Sequence, residues 1–126
     1  TERFKAQINA SEPLKKQLWQ QTIKTKIKNQ ANALEKTGIE GAEALRYLSK
    51  QVVSGDVTNQ EAQAARRYWN KLFGKGFTRE RYGDTPNPAL NYGYAILRAA
   101  VARALSGSGL LPTLGIHHRN KYNSYC

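Results

Sequence analysis

Acidic residues are scarce in this chain, and its last third has none. The 126 residues include nine Asp and Glu against twenty Lys and Arg, which gives a formal net charge of +11 at pH 7. No Asp or Glu follows Asp84. An excess of positive charge favours polyanionic partners, because lysine and arginine neutralise phosphates and release their counterions. The composition therefore points to nucleic acid, with a merely soluble basic protein as the simpler alternative.

Cysteine, methionine and long apolar runs are absent or nearly so. Cys126 is the single cysteine, which excludes an internal disulfide and leaves no set of Cys and His with zinc-finger spacing. No run of about 18 apolar residues occurs, and the N-terminus lacks the apolar core of a signal peptide. We therefore expect a cytoplasmic protein without membrane association. Because the chain starts at Thr1 and contains no Met, we also expect a fragment of a larger protein.

Apolar residues recur at helical spacing through most of the chain and predict an all-α fold in one helical domain, residues 1–126. Ser11 before Glu12-Pro13 is a typical helix start, and Asn87 before Pro88 is predicted to cap another helix. Within these helices we expect Ala44 and Tyr94 to face the core. The predicted helices are a short one around residues 4–8, a long one from 11 to about 36, and three more over 41–52, 59–73 and 87–105.

Glu61 is the acidic residue best placed for chemistry. It stands near the start of the fourth predicted helix, and Ala64, Ala65, Tyr68 and Leu72 follow on the same face. A carboxylate at the edge of an apolar stripe is costly unless it is paired or bound to a metal. The simpler alternative is a first-turn glutamate that interacts favourably with the helix dipole.

Both histidines of the chain, His117 and His118, are adjacent in a segment without acids. Adjacent side chains diverge, so one of them can bind a metal while the other points away or contacts phosphate. A site with Glu61, one histidine, a further carboxylate and water suits Mg²⁺ or Mn²⁺, and the imidazole favours Mn²⁺. Structural or surface histidines are the alternative interpretation.

Basic residues around these candidates are predicted to contact DNA phosphates. The predicted DNA-binding residues are Arg66, Arg67, Lys71, Arg98 and Arg119. Side chains of this kind position a nucleic acid without reading its sequence. The alternative is a solvated basic face.

Three separated motifs stand in the chain: Glu61-x-x-Ala-Ala-Arg-x-Tyr-Trp69, Leu90-Asn-Tyr-Gly-Tyr-Ala-Ile-Leu97 and Gly109-Leu-Leu-Pro-Thr-Leu-Gly-Ile-His-His118. In this order and spacing they resemble the CRISPR spacer-acquisition integrases, the Cas-one family. Segments 11–19 and 118–123 are most similar to the type II form. The resemblance covers nearly the whole chain, and three motifs together are more specific than any one alone.

This resemblance implies the all-α, multi-helix C-terminal lobe that carries the family's active site, without the N-terminal β domain that builds its dimer. It implies that Glu61 and His118 are catalytic metal ligands and that His117 is a variable neighbour. The third ligand, an acidic residue on a following helix, would lie beyond Cys126. We therefore expect the fragment alone to bind metal weakly, and weak metal binding would leave it without catalytic activity.

The resemblance also implies an activity and a set of partners. The activity is that of a metal-dependent DNA endonuclease and integrase, which inserts short foreign DNA fragments as new spacers into a CRISPR array when a DNA 3′-hydroxyl attacks a phosphodiester. Protospacer and CRISPR-repeat DNA, a second copy in the full-length protein and the small Cas-two protein are the expected partners. A non-catalytic basic helical DNA-binding module is the alternative, and a scaffold segment that only holds subunits together is a third interpretation.

Overall fold

Five α-helices and one 3₁₀ turn make up the described part of the chain. The computed structural model describes residues 2–111, so His117, His118 and Arg119 lie outside the described residues. Between residues 2 and 111 no strand occurs, and the predicted all-α class is confirmed. The helices are α1 Glu2–Ile8, α2 Glu12–Lys36, α3 Ala42–Gln51, α4 Gln60–Phe73 and α5 Asn87–Gly107, and the 3₁₀ turn is Ser54–Asp56.

The chain divides into two compact units. One runs from Lys16 to Arg79 and contains most of α2 with α3 and α4; the other combines the residues up to Lys15 with those from Glu80 onward. In the second unit, Arg3 Nη1 donates to the carbonyl oxygen of Ser108 over 2.6 Å, and Gln7 Nε2 donates to that of Leu111 over 3.0 Å. α1 is thereby tied to the segment that follows α5. The single domain over 1–126 stays a prediction.

An apolar stripe on α2 forms the core of the Lys16–Arg79 unit. Its members return to the same side of the helix at every turn, so this face of α2 is apolar. α3 and α4 cover this stripe, and Trp19, Tyr68 and Leu72 pack at its edge. The buried apolar side chains are Ile23, Ile27, Ala31, Leu34, Leu45, Leu48, Val52 and Ala64.

Two side chains predicted to be in the core are exposed. Ala44 lies on the outer side of α3, because Leu45 and Leu48 take the inner side and a single residue step turns the helix by about 100°. Tyr94 is 45% exposed. A tyrosine tolerates this position because its ring is apolar while its hydroxyl favours contact with water.

The start of α2 agrees with the prediction from sequence, whereas the start of α5 differs from it. Ser11 Oγ accepts a hydrogen bond from the Leu14 backbone N–H over 3.2 Å. Asn87 is the first residue of α5, not its cap. Asn87 is 3% exposed, and its Oδ1 accepts a hydrogen bond from the Glu80 backbone N–H over 2.9 Å. The prediction of an Asn87 cap was wrong because the preceding loop supplies a donor that the buried amide satisfies. A Cβ at Gly83 would lie 2.7 Å from Asn87 Nδ2, so this packing requires glycine there.

The first turn of α4 is held by a carboxylate from outside the helix. Asp56 Oδ1 accepts the backbone N–H of Gln60 over 2.8 Å, and Oδ2 accepts that of Glu61 over 3.0 Å. Asn59, the residue at the cap position, makes no side-chain cap hydrogen bond. A buried anion at this end satisfies two free donors and interacts favourably with the helix dipole. Asp56 is 8% exposed, and the two hydrogen bonds compensate for the loss of water around its buried carboxylate.

Replacing Ile27 by alanine tests the core. Ile27 is fully buried, with 0% exposure, so Ile27→Ala should lower the free energy of unfolding by about 2–5 kcal/mol through lost burial and a residual cavity. Denaturant unfolding followed by circular dichroism measures this change. Val57→Ala is the control, since Val57 is 76% exposed and should change the value by less than about 0.5 kcal/mol. Equal effects of the two substitutions would contradict this core.

Replacing Asp56 by alanine tests the cap. Asp56→Ala removes the acceptor of two backbone donors and should lower the free energy of unfolding by about 1–3 kcal/mol. Hydrogen exchange should show faster exchange of the Gln60 and Glu61 amides. Glu40→Ala is the control, because Glu40 is exposed and forms no ion pair with any residue between 2 and 111. Unchanged protection of both amides in Asp56→Ala would rule out the cap.

Candidate metal centre

Glu61 lies in the first turn of α4, where its backbone is held on two sides. Its N–H donates to Asp56, and Ala64, less than one turn later, is fully buried in the core. Tyr68 and Leu72 continue this face against the core. The predicted position of Glu61 at the edge of an apolar stripe is therefore confirmed. The cap sets where α4 begins, and the buried alanine sets how the helix is rotated.

The Glu61 carboxylate is paired with a cation from another helix. Lys26 Nζ of α2 lies 2.6 Å from Glu61 Oε1, and the two side chains are 48% and 26% exposed. Lys26 stands beside the buried Ile27, so the packing of α2 holds its backbone in place. The carboxylate thus meets the expectation that a charge at this edge is paired. A pair with this exposure contributes about 0–1 kcal/mol to stability.

The carboxylate fits the role of one metal ligand. Carboxylate oxygen is a ligand that Mg²⁺ and Mn²⁺ accept, and Lys26 Nζ stands at one of the two Glu61 oxygens. Residues 2–111 contain no group of three His, Cys, Asp or Glu that could hold a metal. Asp56 is not available as a metal ligand, because both of its carboxylate oxygens accept hydrogen bonds from backbone N–H groups. A metal at Glu61 would need further ligands, and the meeting of Glu61 with His118 stays a prediction.

Two buried amide oxygens adjoin this pair in the sequence. Gln30, one helical turn after Lys26, and Gln60, directly before Glu61, each have an Oε1 without a hydrogen-bond partner among the described residues. Buried polar atoms of native proteins usually have a partner, in the protein or in ordered water.

The predicted DNA-binding residues of α4 do not surround Glu61. Arg66 and Arg67 are exposed and form no ion pair with a described residue. They follow Glu61 by five and six positions, which places them roughly 140° and 120° around the helix from it. Phosphates that they contact would lie on another side of α4 than the carboxylate. Arg98 is exposed on α5, which belongs to the other compact unit.

Lys71 and Arg46 are basic residues with structural contacts. The stem of Lys71 packs on Gly41, where a Cβ would lie 3.2 Å from Lys71 Cγ. Arg46 donates from Nη1 to Glu43 over 3.2 Å and also pairs with Glu35. Its hydrogen bond to Glu35 raises the pKa of Arg46 above the ordinary value, and the charges of Glu35 and Glu43 act in the same direction. Arg46 therefore links α2 to α3, and its charge is already neutralised.

Sequence reasoning did not identify Lys26 or Asp56. Asp56 had a readable signal, because an aspartate just ahead of a predicted helix is a candidate cap. Lys26 had none: lysines 24 and 28 flank it on α2, and only packing shows which of the three meets Glu61.

No helix within residues 2–111 combines the length and hydrophobicity needed to cross a bilayer.

Comparison with known proteins agrees with the resemblance drawn from the motifs. The "CRISPR-associated endonuclease Cas1" of Neisseria meningitidis serogroup C (strain 8013) is 52% identical over 123 residues, which are 97% of this chain and 40% of that protein. The "CRISPR-associated endonuclease Cas1 2" of Pyrobaculum aerophilum is 31% identical over 83 residues, 64% of this chain and 28% of that protein. The chain thus spans less than half the length of these curated relatives. The family described as "CRISPR associated protein Cas1" matches residues 1–126, and the chain belongs to this family.

Proposed function

We propose that this chain is part of the helical catalytic lobe of a metal-dependent DNA endonuclease and integrase that inserts short foreign DNA fragments as new spacers into a CRISPR array. The observation that carries the proposal is the Glu61 carboxylate, held at the start of α4 and already paired with a cation. Identity of 52% to a relative named as an endonuclease supports the nuclease activity. The net charge of +11 supports a polyanionic substrate.

Glu61 and His118 are the proposed metal ligands of this chain, with Mg²⁺ or Mn²⁺ as the cofactor. When bound, the ion would polarise the phosphate and stabilise negative charge on the attacking and leaving oxygens. Glu61 contributes a negatively charged carboxylate oxygen. The Asp56 cap and the buried core hold the backbone of Glu61 in place. Arg66, Arg67, Lys71, Arg98 and Arg119 hold the DNA backbone.

The proposed reaction is a transesterification that needs no oxidant or other co-reactant. The 3′-hydroxyl oxygen of the inserted fragment forms a bond to phosphorus, while the bond from phosphorus to the 3′-oxygen of the target strand breaks. The proton of the attacking hydroxyl leaves, and the released 3′-oxygen takes one up. In the endonuclease reaction, water replaces the attacking hydroxyl. We propose that the full-length protein carries this out in the cytoplasm as a homodimer, with the small Cas-two protein as partner.

Substitution of the two ligands tests this function. In the full-length protein, Glu61→Gln and His118→Ala should each weaken Mn²⁺ binding at least about tenfold and abolish integration, because each removes a direct ligand. Isothermal titration with MnCl₂ and an assay of fragment insertion into a repeat-containing duplex measure the two effects. Glu40→Gln and His117→Ala are the matched controls and should behave like the unsubstituted protein.

The outcome separates the proposal from its alternatives. DNA binding that is unaffected by Mn²⁺ and by both substitutions would favour a non-catalytic DNA-binding module. If the full-length protein bound neither metal nor DNA, a scaffold role would be favoured. Integration near the unsubstituted rate in His118→Ala would refute the assignment of that ligand.

Salt dependence tests the contacts to phosphate. The logarithm of the DNA association constant should fall linearly with the logarithm of salt concentration, and Arg66→Ala with Arg67→Ala should reduce this slope by about one for each lost phosphate contact. Fluorescence anisotropy of a labelled duplex at several salt concentrations measures the slope. Arg46→Gln is the control, because Glu35 and Glu43 already neutralise Arg46. A slope that the double substitution leaves unchanged would exclude these two arginines from the interface.

A further inference from the structure

Among residues 2–111, Lys26 is the basic residue that pairs with the Glu61 carboxylate, and the proposed reaction gives it no role. Its Nζ lies 2.6 Å from Oε1. Lys24 and Lys28, its neighbours on α2, form no ion pair with a residue between 2 and 111. One lysine of this run is therefore held at the proposed metal ligand.

We infer that Lys26 is an exchangeable counter-ion of the Glu61 site: its ammonium occupies the carboxylate until a divalent cation takes its place, and it then contacts a phosphate of the bound DNA. The inference rests on the proposed function, because it requires Glu61 to be a metal ligand. It adds Lys26 of α2 to the proposed role of Glu61 on α4.

The exchange follows from the charges and the exposure of the pair. Ammonium and metal would bind the same carboxylate, and two cations that close repel each other, so binding of one weakens binding of the other. Since the Lys26 side chain is 48% exposed, its head can leave the carboxylate without crossing packed side chains. Lysine suits this role because its charge is compact and its four-carbon stem is flexible.

Phosphate is the anion expected to receive the released ammonium. Glu61 is the one carboxylate that pairs with Lys26 among residues 2–111, so loss of this contact leaves an unpaired charge close to the metal. Burial of Ile23 and Ile27 on either side of Lys26 keeps its backbone in place and its head near Glu61. A phosphate bound to the metal would bring negative charge to that point and favour the ammonium there.

The test compares metal binding and DNA binding in Lys26→Met, Lys26→Arg and the matched control Lys28→Met of the full-length protein. Titration with MnCl₂ should show about two- to fivefold tighter binding in Lys26→Met, which corresponds to loss of one partly exposed ion pair. With Mn²⁺ present, the salt dependence of binding to a short duplex should lose about one phosphate contact. Lys28→Met should keep the Mn²⁺ affinity, and Lys26→Arg should keep both properties within about twofold because it keeps the charge.

The two readouts change in opposite directions, which a purely structural role for Lys26 would not produce. Thermal unfolding establishes that each variant folds, and if Lys26→Met does not fold, Lys26→Gln takes its place. Unchanged or weaker Mn²⁺ binding without Lys26, or an unchanged salt slope, would overturn the inference. If Glu61→Gln weakens Mn²⁺ binding while Lys26→Met does not alter it, only the inference about Lys26 fails. If Glu61→Gln has no effect on Mn²⁺ binding, the proposed function fails with it.

Discussion

The hydrogen bonds from two backbone N–H groups to Asp56 are the constraint on which the candidate centre depends. Glu61 is the second residue of α4, so the position of its carboxylate follows directly from where the helix begins. Asp56 sets that beginning through the N–H groups of Gln60 and Glu61, and burial of Ala64 sets the rotation. Given both, the Glu61 side chain reaches α2 and meets Lys26.

The few acidic residues of this chain hold its helices in place. Glu12, Glu35, Glu43 and Glu61 form ion pairs with described residues, and Asp56 caps a helix. Each contact ties together parts of the Lys16–Arg79 unit or supports a helix start. Most of the twenty Lys and Arg therefore lack an acidic partner in the described part of the chain. The DNA of the proposed function is a polyanion of the kind that would supply this countercharge.

The helices were largely predictable, because their signals are local. Apolar spacing located α2 and α4, and a capping serine marked the start of α2 correctly. Errors arose where a side chain had a choice of partners. Asn87 satisfies a loop donor rather than capping α5, and Tyr94 is exposed although its spacing in α5 suggests burial. Neither outcome follows from propensity or periodicity, since both depend on what else packs at that point.

The candidate site, like the fold, was predictable from sequence only in its local features. Glu61 was identifiable from sequence because its motif and its position at the edge of an apolar stripe are both local properties. Its contact with Lys26 depends on tertiary structure, because 35 residues separate the two and the packing of α2 and α4 selects one lysine among three. The sequence by itself determined the family, the helices and the excess of positive charge. The tertiary structure alone decided which charges meet, because the hydrogen bonds and ion pairs between helices form only after the core has oriented them.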